Sequence, residues 1–357
     1  MGEDLLFRRA PNAQELALKR VKASHDIVER LGMISPNRLH IKNHPIDRPV
    51  AVFNPAMFLE NNTIKLLARI ILGYYTYASA IALAEIPLDD IIDKLVDRSH
   101  YGAEIVLYPS TKYDLWGAED PRTTYIDGRI AMVYTGRTVN YFNPVVRRER
   151  TLPVLALSDN GRRWKKVGVF VLPDYVRSHL ISDKDAFVVK TPDGKLWLFH
   201  RPHLDDEKFY LVISRLESIP EASDMVEIPV HDTTIVLDPA PFEMKLGWAA
   251  PPIEVENNRW LALVHAVDKD MEVYRCFAVL LKYDGSFTVE AVTPRYIFEP
   301  KEVYEVYGDR PLVVFPCGNV RIDDEIVIAY GAGDYVVGFG KLRIDEVMNE
   351  LDKGIPR

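Results

Sequence analysis

The chain has 357 residues, 48% of them apolar and 27% charged, with a formal net charge of −8. A chain of this length buries a substantial core within one large domain. The acidic balance, without a basic stripe interleaved with aromatics, argues against a nucleic-acid partner, and the basic clusters 146–150 and 162–166 read as solvated loops.

Residues 1–10 carry charge without an apolar run, so no secretory leader is read there. Leu6 stands where acylation of Gly2 requires Ser or Thr. Over 13–31, Leu16, Val21, Ile27, Val28 and Leu31 form an approximate helical stripe with Gly32 behind it. This predicts a helix on the outside of the fold, available for packing or for a homo-oligomer contact. The expected organisation is an N-terminal extension over 1–45, a main domain over 46–346 and a tail over 347–357. The uncharged run 70–84, interrupted by Gly73, is too short to cross a bilayer and predicts paired buried strands, with no membrane partner. Residues 86–97 predict a short second helix. Cys276 and Cys317 lack metal or redox spacing, so the expected compartment is a reducing cytoplasm and no metal or other cofactor is expected. Gln14 is the only glutamine among many charged residues, which suits a thermophilic source.

A long internal rhythm organises the rest. Turns at Asn54-Pro55, Asp120-Pro121, Asp185-Ala186-Phe187, Pro251-Pro252 and Phe315-Pro316 lie 66, 65, 66 and 65 residues apart. Each is followed by a strand pattern and a reversal: Asn61-Asn62, Asp127-Gly128, Asp193-Gly194, Asn257-Asn258 and Asp323-Asp324. Such dipeptides supply the positive φ of tight hairpins. Two further strand patterns follow in each unit, with no alternating helices, so a parallel α/β fold is excluded. A period this long built of antiparallel strands predicts an all-β fold, a five-bladed β-propeller. Equivalent strand ends, at Arg69, Arg137, His200-Arg201, His265 and Gly333-Asp334, then converge on one axial funnel.

The motifs carrying this rhythm match a known family. Asn54-Pro55-Ala56, Gly117-Ala118-Glu119-Asp120-Pro121-Arg122, Asp183-Lys184-Asp185-Ala186 and His200-Arg201-Pro202 follow in order, then Lys245-Leu246-Gly247, Pro251-Pro252-Ile253, His265, Val314-Phe315-Pro316-Cys317-Gly318 and Tyr330-Gly331-Ala332-Gly333-Asp334. From about Asn54 to Gly338 the chain resembles glycoside hydrolase family 130, β-mannoside phosphorylases and related hydrolases. The resemblance implies a five-bladed propeller. It implies Asp120 as general acid, Lys184, Arg201, Lys245 and His265 as phosphate ligands, and Asn54, Arg69 and Asp334 as grips on the cleaved sugar. Many phosphorylases place Arg where Lys184 stands; Lys keeps the charge but loses the planar fork that matches phosphate.

Inverting cleavage of a glycoside needs an acid for the leaving oxygen and a nucleophile on the opposite face. Inorganic phosphate as co-substrate needs cations there instead of a second carboxylate, and Lys184, Arg201, Lys245 and a protonated His265 would supply about three positive charges. Two like charges roughly 4 Å apart cost on the order of 4 kcal/mol at an effective dielectric near 20, so a doubly charged anion relieves such a set. The same cations oppose a proton resting on Asp120, and the resemblance implies a relay through the sugar 3-hydroxyl. The expected function is an inverting phosphorylase that converts a β-mannoside and phosphate into α-mannose 1-phosphate. The alternatives are an inverting β-mannosidase with Glu254 or Asp334 as base, and a carbohydrate-binding propeller without turnover. Glu119 is expected to pair with Arg122 or cap its turn, His200 and His203 to be structural, and Trp248, Tyr134 and Tyr274 to serve either the core or sugar stacking. Acceptor preference is expected in the loops 98–115 and 141–150.

Overall fold

The computed structural model describes residues 6–221, 224–256 and 258–355. Gly2 and Asn257, both used above, lie outside the described residues. Hairpins form where the turn residues allow a left-handed backbone: Asn61 and Asn62 take φ of 47° and 59°, Asp127 and Gly128 51° and 77°, and Asp323 51°. The strands between them assemble into five antiparallel blades around one axis, the five-bladed β-propeller expected from the 65-residue period.

Blade 1 runs outward from Ala51–Glu60 through Thr63–Ile71, Ser79–Pro87 and Tyr101–Leu107. Blade 2 runs through Ala118–Ile126, Arg129–Arg137, Thr151–Ser158 and Lys165–Val171, and blade 3 through Leu180–Lys190, Leu196–Leu204, Leu211–Leu216 and His231–Leu237. In blade 4 the innermost strand is split into Glu243–Trp248 and Ile253–Glu256, both paired to Arg259–Asp268, with Tyr274–Tyr283 and Phe287–Val292 outside them. Blade 5 holds Val314–Ile322, Glu325–Ala332 and Val336–Arg343.

The core lies between blades, which is why their middle strands are apolar on both faces. Leu66 and Ile70 of blade 1 cluster with Val327 and Phe339 of blade 5. Phe187 and Phe199 of blade 3 meet Trp248 of blade 4, with ring centroids 4.9 and 5.0 Å apart in turn. Each such side chain, fully removed from water, contributes about 1.5–3 kcal/mol.

The N-terminal segment differs from its expected single helix. The helix covers only Ala13–Leu18. Beyond it the backbone pairs along blade 4, with Val21, His25 and Ile27 N–H groups donating to Pro294, Tyr296 and Ile297 carbonyls. Val28 and Leu31 are buried between blades rather than on a helical stripe. Tertiary strand pairing overrides the weak helical spacing here. Three pieces of this segment serve as outer strands: Arg8–Arg9 parallel to His231–Leu237, Glu29–Ile34 antiparallel to Val336–Arg343, and Leu39–Ile41 parallel to Tyr101–Leu107. The second predicted helix shrinks to Leu88–Ile92, because Ile86 still belongs to a strand and Lys94 turns left-handed at φ 59°. A helix at Ile344–Asp352 seats Val347 and Leu351 against blade 4. Among the described residues no helix is long and apolar enough to cross a membrane.

Candidate active site

The innermost strands of blades 1, 2 and 3 share one irregularity. Their registers slip between Phe53 and Ala56, between Glu119 and Arg122, and between Lys184 and Phe187. At each slip one residue is left-handed: Asn54 at φ 47°, Asp120 at 48° and Asp185 at 56°. Such bulges re-aim a side chain out of the ladder, and Asn and Asp tolerate this backbone better than other non-glycine residues. Pro55 and Pro121 have no N–H to lose where pairing is already broken. The sequence period therefore brings three polar side chains to the axis in equivalent poses.

Arg122 anchors the second bulge. It is fully buried and donates to the Asp120 carbonyl at 3.0 Å and, across the axis in blade 4, to the carbonyls of Ala249 at 2.7 Å and Trp248 at 3.0 Å. Glu119, expected to pair with Arg122 or cap its turn, instead accepts from Arg137 at 2.9 and 3.1 Å and from Arg69 at 2.9 Å. Burial opposes its ionisation, but Arg137 and Arg69 outweigh this and hold it at about 2. Arg69 also donates to Asp120 Oδ1 at 3.0 Å, and Asn54 Nδ2 donates to the same oxygen at 2.9 Å. Among the described residues no hydrogen bond reaches Asp120 Oδ2, so one carboxyl oxygen is gripped and the other is not.

Behind Lys184 lies a second cluster. Asp185 Oδ2 stands 2.8 Å from Arg201 Nε and 3.0 Å from His265 Nε2, and Arg122 lies 3.6 Å from Oδ1. Burial raises the Asp185 carboxyl, but Arg201, His265 and Arg122 drive it well below the usual carboxylate range. Burial pushes His265 down to about 4, only partly countered by Asp185, so the ring is neutral rather than protonated as the sequence suggested. With Nε2–H donated to Asp185, His265 Nδ1 is left as an acceptor. Burial, then Arg201 and Lys184, depress Lys245 to about 6, and burial with Arg201 also lowers Lys184. Arg201 Nη1 and His265 Nδ1 are buried without a hydrogen-bond partner among the described residues. Of the two only Arg201 Nη1 is a donor, and an unpaired buried guanidinium N–H beside crowded cationic side chains is what a bound oxyanion relieves. Gly247 makes room here: a Cβ would stand 2.3 Å from the His265 ring and 2.4 Å from Asp185 Oδ2.

Asn54, Arg69, Asp120, Lys184 and Asp334 line one axial pit of about 660 Å³, together with Glu119, Arg137, Tyr274 and Phe315. Arg201, Lys245 and His265 are absent from its wall; Tyr274, which lines it, has its ring 5.3 Å from the Lys245 ammonium, as does Phe209 outside it. Asp334 occupies a left-handed turn at φ 49°, and burial, reinforced by Asp120, raises its carboxyl to about 6.

The profile described as beta-1,4-mannooligosaccharide phosphorylase, that of glycoside hydrolase family 130, matches residues 18–353. The chain belongs to glycoside hydrolase family 130. It is 30% identical over 303 residues to a 1,2-beta-oligomannan phosphorylase of Thermoanaerobacter sp. strain X514, covering 83% of this chain and 91% of that one. It is 29% identical over 321 residues to a beta-1,2-mannobiose phosphorylase of the same strain, covering 86% and 94%. The solved structure of beta-1,2-mannobiose phosphorylase from Listeria innocua with beta-1,2-mannobiose shares the fold, with a TM-score of 0.72 at 20% identity over 91% of this chain and 99% of that one. This is an enzyme family of mannoside phosphorylases and hydrolases.

Several sequence readings of this family 130 member change in place. Glu254, considered as a base for water, is exposed and its carboxylate accepts from the Asn258 N–H at 3.2 Å, away from the pit. His200, at a predicted funnel strand end, does not line the pit; it is buried between Asp183 and Ser214, each at 2.7 Å, a satisfied histidine as its structural reading had it. Trp248 and Tyr134 are core residues, donating to the Val212 carbonyl and to Asp114, whereas Tyr274 lines the pit. Of the two specificity loops, 141–150 reaches the pit through Tyr141 and Phe142, and 98–115 does not. Sequence reasoning missed Tyr74, Tyr77, Glu272, Asp309 and Arg310, which lie in inter-strand loops outside the repeat.

Gly331 lets Asn54 reach Asp120, since a Cβ there would stand 1.7 Å from Asn54 Oδ1 and 2.9 Å from its backbone nitrogen. Gly331→Ala is therefore expected to cost about 1–3 kcal/mol of stability. It should also lower kcat/KM at least about tenfold by displacing that donor. Thermal melts beside steady-state kinetics check this; a variant with wild-type kinetics would show that the Asn54 contact is dispensable.

Proposed function

We propose that the protein is an inverting β-mannoside phosphorylase that splits β-1,2-linked manno-oligosaccharides with inorganic phosphate and releases α-mannose 1-phosphate. The 1,2 linkage rests on the activities for which the Thermoanaerobacter relatives are named. The observation that carries the reading is the cluster of Lys184, Arg201 and Lys245 with an unpaired buried guanidinium nitrogen, next to a pit holding Asp120. A phosphate oxygen attacks the anomeric carbon from the face opposite the leaving oxygen. As the new C–O bond forms, the glycosidic C–O bond breaks, and the departing oxygen takes the proton supplied by Asp120, directly or through a sugar hydroxyl. Inversion converts the β-linkage into the α-phosphate.

A hydrolase would need a carboxylate able to accept a proton from water. Glu119 and Asp185 are held ionised by their cations and make poor bases. Asp334, which lines the pit, is raised by burial to about 6. Phosphorus NMR of purified protein with β-1,2-mannobiose and phosphate tests the choice. The expected result is a phosphate-dependent α-mannose 1-phosphate signal. Equal sugar release with and without phosphate would instead assign the water-activating role to Asp334.

A further inference from the structure

One face of the pit mouth is a row of aromatic rings that the chemistry above does not use. Tyr74 and Tyr77, from the loop after Thr63–Ile71, stack at 6.2 Å between centroids. Tyr77 lies 5.6 Å from Tyr141, and Tyr141 lies 5.3 Å from Phe142, in the loop after Arg129–Arg137. Tyr74, Tyr141 and Phe142 are 49%, 50% and 63% exposed, although all line the pit. The row is braced from below and from across. The Arg137 guanidinium, locked by Glu119, sits 4.6 Å beneath the Tyr141 ring. The Tyr77 hydroxyl donates to Asp309 Oδ2 at 2.7 Å, tying a blade 1 loop to the loop preceding blade 5. Glu272, Asp309 and Arg310 add charged and polar groups to the same pit lining.

A pit mouth that combines aromatic rings with charged side chains matches a pyranose chain. Each sugar offers an apolar face of C–H bonds to a ring and a rim of hydroxyls to carboxylates and a guanidinium. Four rings in succession exceed the footprint of a single sugar. Tyr77 lies 6.0 Å from the Arg69 guanidinium that grips Asp120, and the rings on either side of it, Tyr74 and Tyr141 with Phe142, are exposed, so the row suits the outgoing leaving-group chain rather than the sugar enclosed in the pit.

Building on the phosphorylase reading, we infer that the strip Tyr74–Tyr77–Tyr141–Phe142 holds the leaving-group chain at two or more sugars, making the protein selective for oligosaccharides over disaccharide. The test uses β-1,2-mannobiose, -triose and -tetraose with wild type, Tyr74→Ala and Phe142→Ala. Wild-type KM should fall with length. Each variant should raise the tetraose KM about fivefold to tenfold with kcat retained, and change the disaccharide KM less than about twofold. Calorimetric Kd values over the same series read the strip without turnover. Turnover with a KM independent of length, or variants that weaken all lengths equally, overturns the strip. Length-dependent binding lost in both variants, with no mannose 1-phosphate formed, supports the strip and refutes the phosphorylase reading instead.

Discussion

Asp120→Asn should lower kcat on an unactivated mannoside by about 10²–10⁴, the usual worth of a positioned general acid, while leaving the propeller folded. The position takes φ of 48°, which Asn adopts readily. Its side-chain oxygen can still accept from Asn54 and Arg69, as Asp120 Oδ1 does at 2.9 and 3.0 Å. What the variant lacks is a dissociable proton. A nitrophenyl β-mannoside, whose leaving group departs without protonation, should recover most of the loss. Equal losses on both substrates would mean that Asp120 positions the sugar and supplies no proton. Asp120→Ala is a poorer probe, because alanine disfavours the left-handed backbone and Arg69 would lose one of its two carboxylates.

Arg201→Ala and Lys245→Met should both raise the KM for phosphate by about 10–150-fold, equivalent to losing one charge-assisted hydrogen bond of about 1.5–3 kcal/mol, yet move stability in opposite directions. Arg201 is the closest cation to the buried Asp185, whose other partners are the neutral His265 ring and, at 3.6 Å, Arg122. Its removal should cost about 3–5 kcal/mol, as for any broken buried pair. Lys245 is a liability to the fold, since its ammonium is depressed to about 6. The unfolded chain binds that proton more tightly. Lys245 therefore weakens the fold progressively as pH falls from about 10 to about 6, and Lys245→Met should melt no lower than wild type across that window. Anion binding must return the proton to Lys245. Sulfate, which stays doubly charged, should bind more tightly as pH falls from 8 to 6, with net proton uptake seen by calorimetry in buffers of differing ionisation heat. Proton release on binding would refute the role given to Lys245.

The repeat was legible because blade geometry enforces it. Asn54, Asp120 and Asp185 recur at 66 and 65 residues and all three land on bulges with the same backbone conformation. The family motifs likewise located Arg69, Lys184 and Asp334, which line the pit. Pairing within the site was not legible. Arg122 is three residues from Glu119 but reaches carbonyls across the axis, while Glu119 turns to Arg69 and Arg137 on neighbouring strands. Sequence proximity cannot rank partners once a bulge has turned one side chain. Strand ends carry a similar ambiguity: His200 and Arg201 are adjacent, so they face opposite sides, and only the packed blade decides which meets Asp185. The charge state of His265 depended on how completely it is enclosed, and no motif encodes that. Arg310 and the rim tyrosines sit in loops whose lengths differ between blades, so no period pointed to them.

The outermost strand of blade 5 comes from the opposite end of the polypeptide, Glu29 facing Lys341 and Ile34 facing Val337. During synthesis on the ribosome, that early strand has no mate until nearly all of the protein has emerged. Four blades can condense while the circle stays open, and the axial chemistry, which draws Asn54 from the first blade and Asp334 from the last, comes together only when the final zipper engages. A nascent or truncated product stopped before Val336 would hold Asp120 and the cations in near-native blades yet have no working centre.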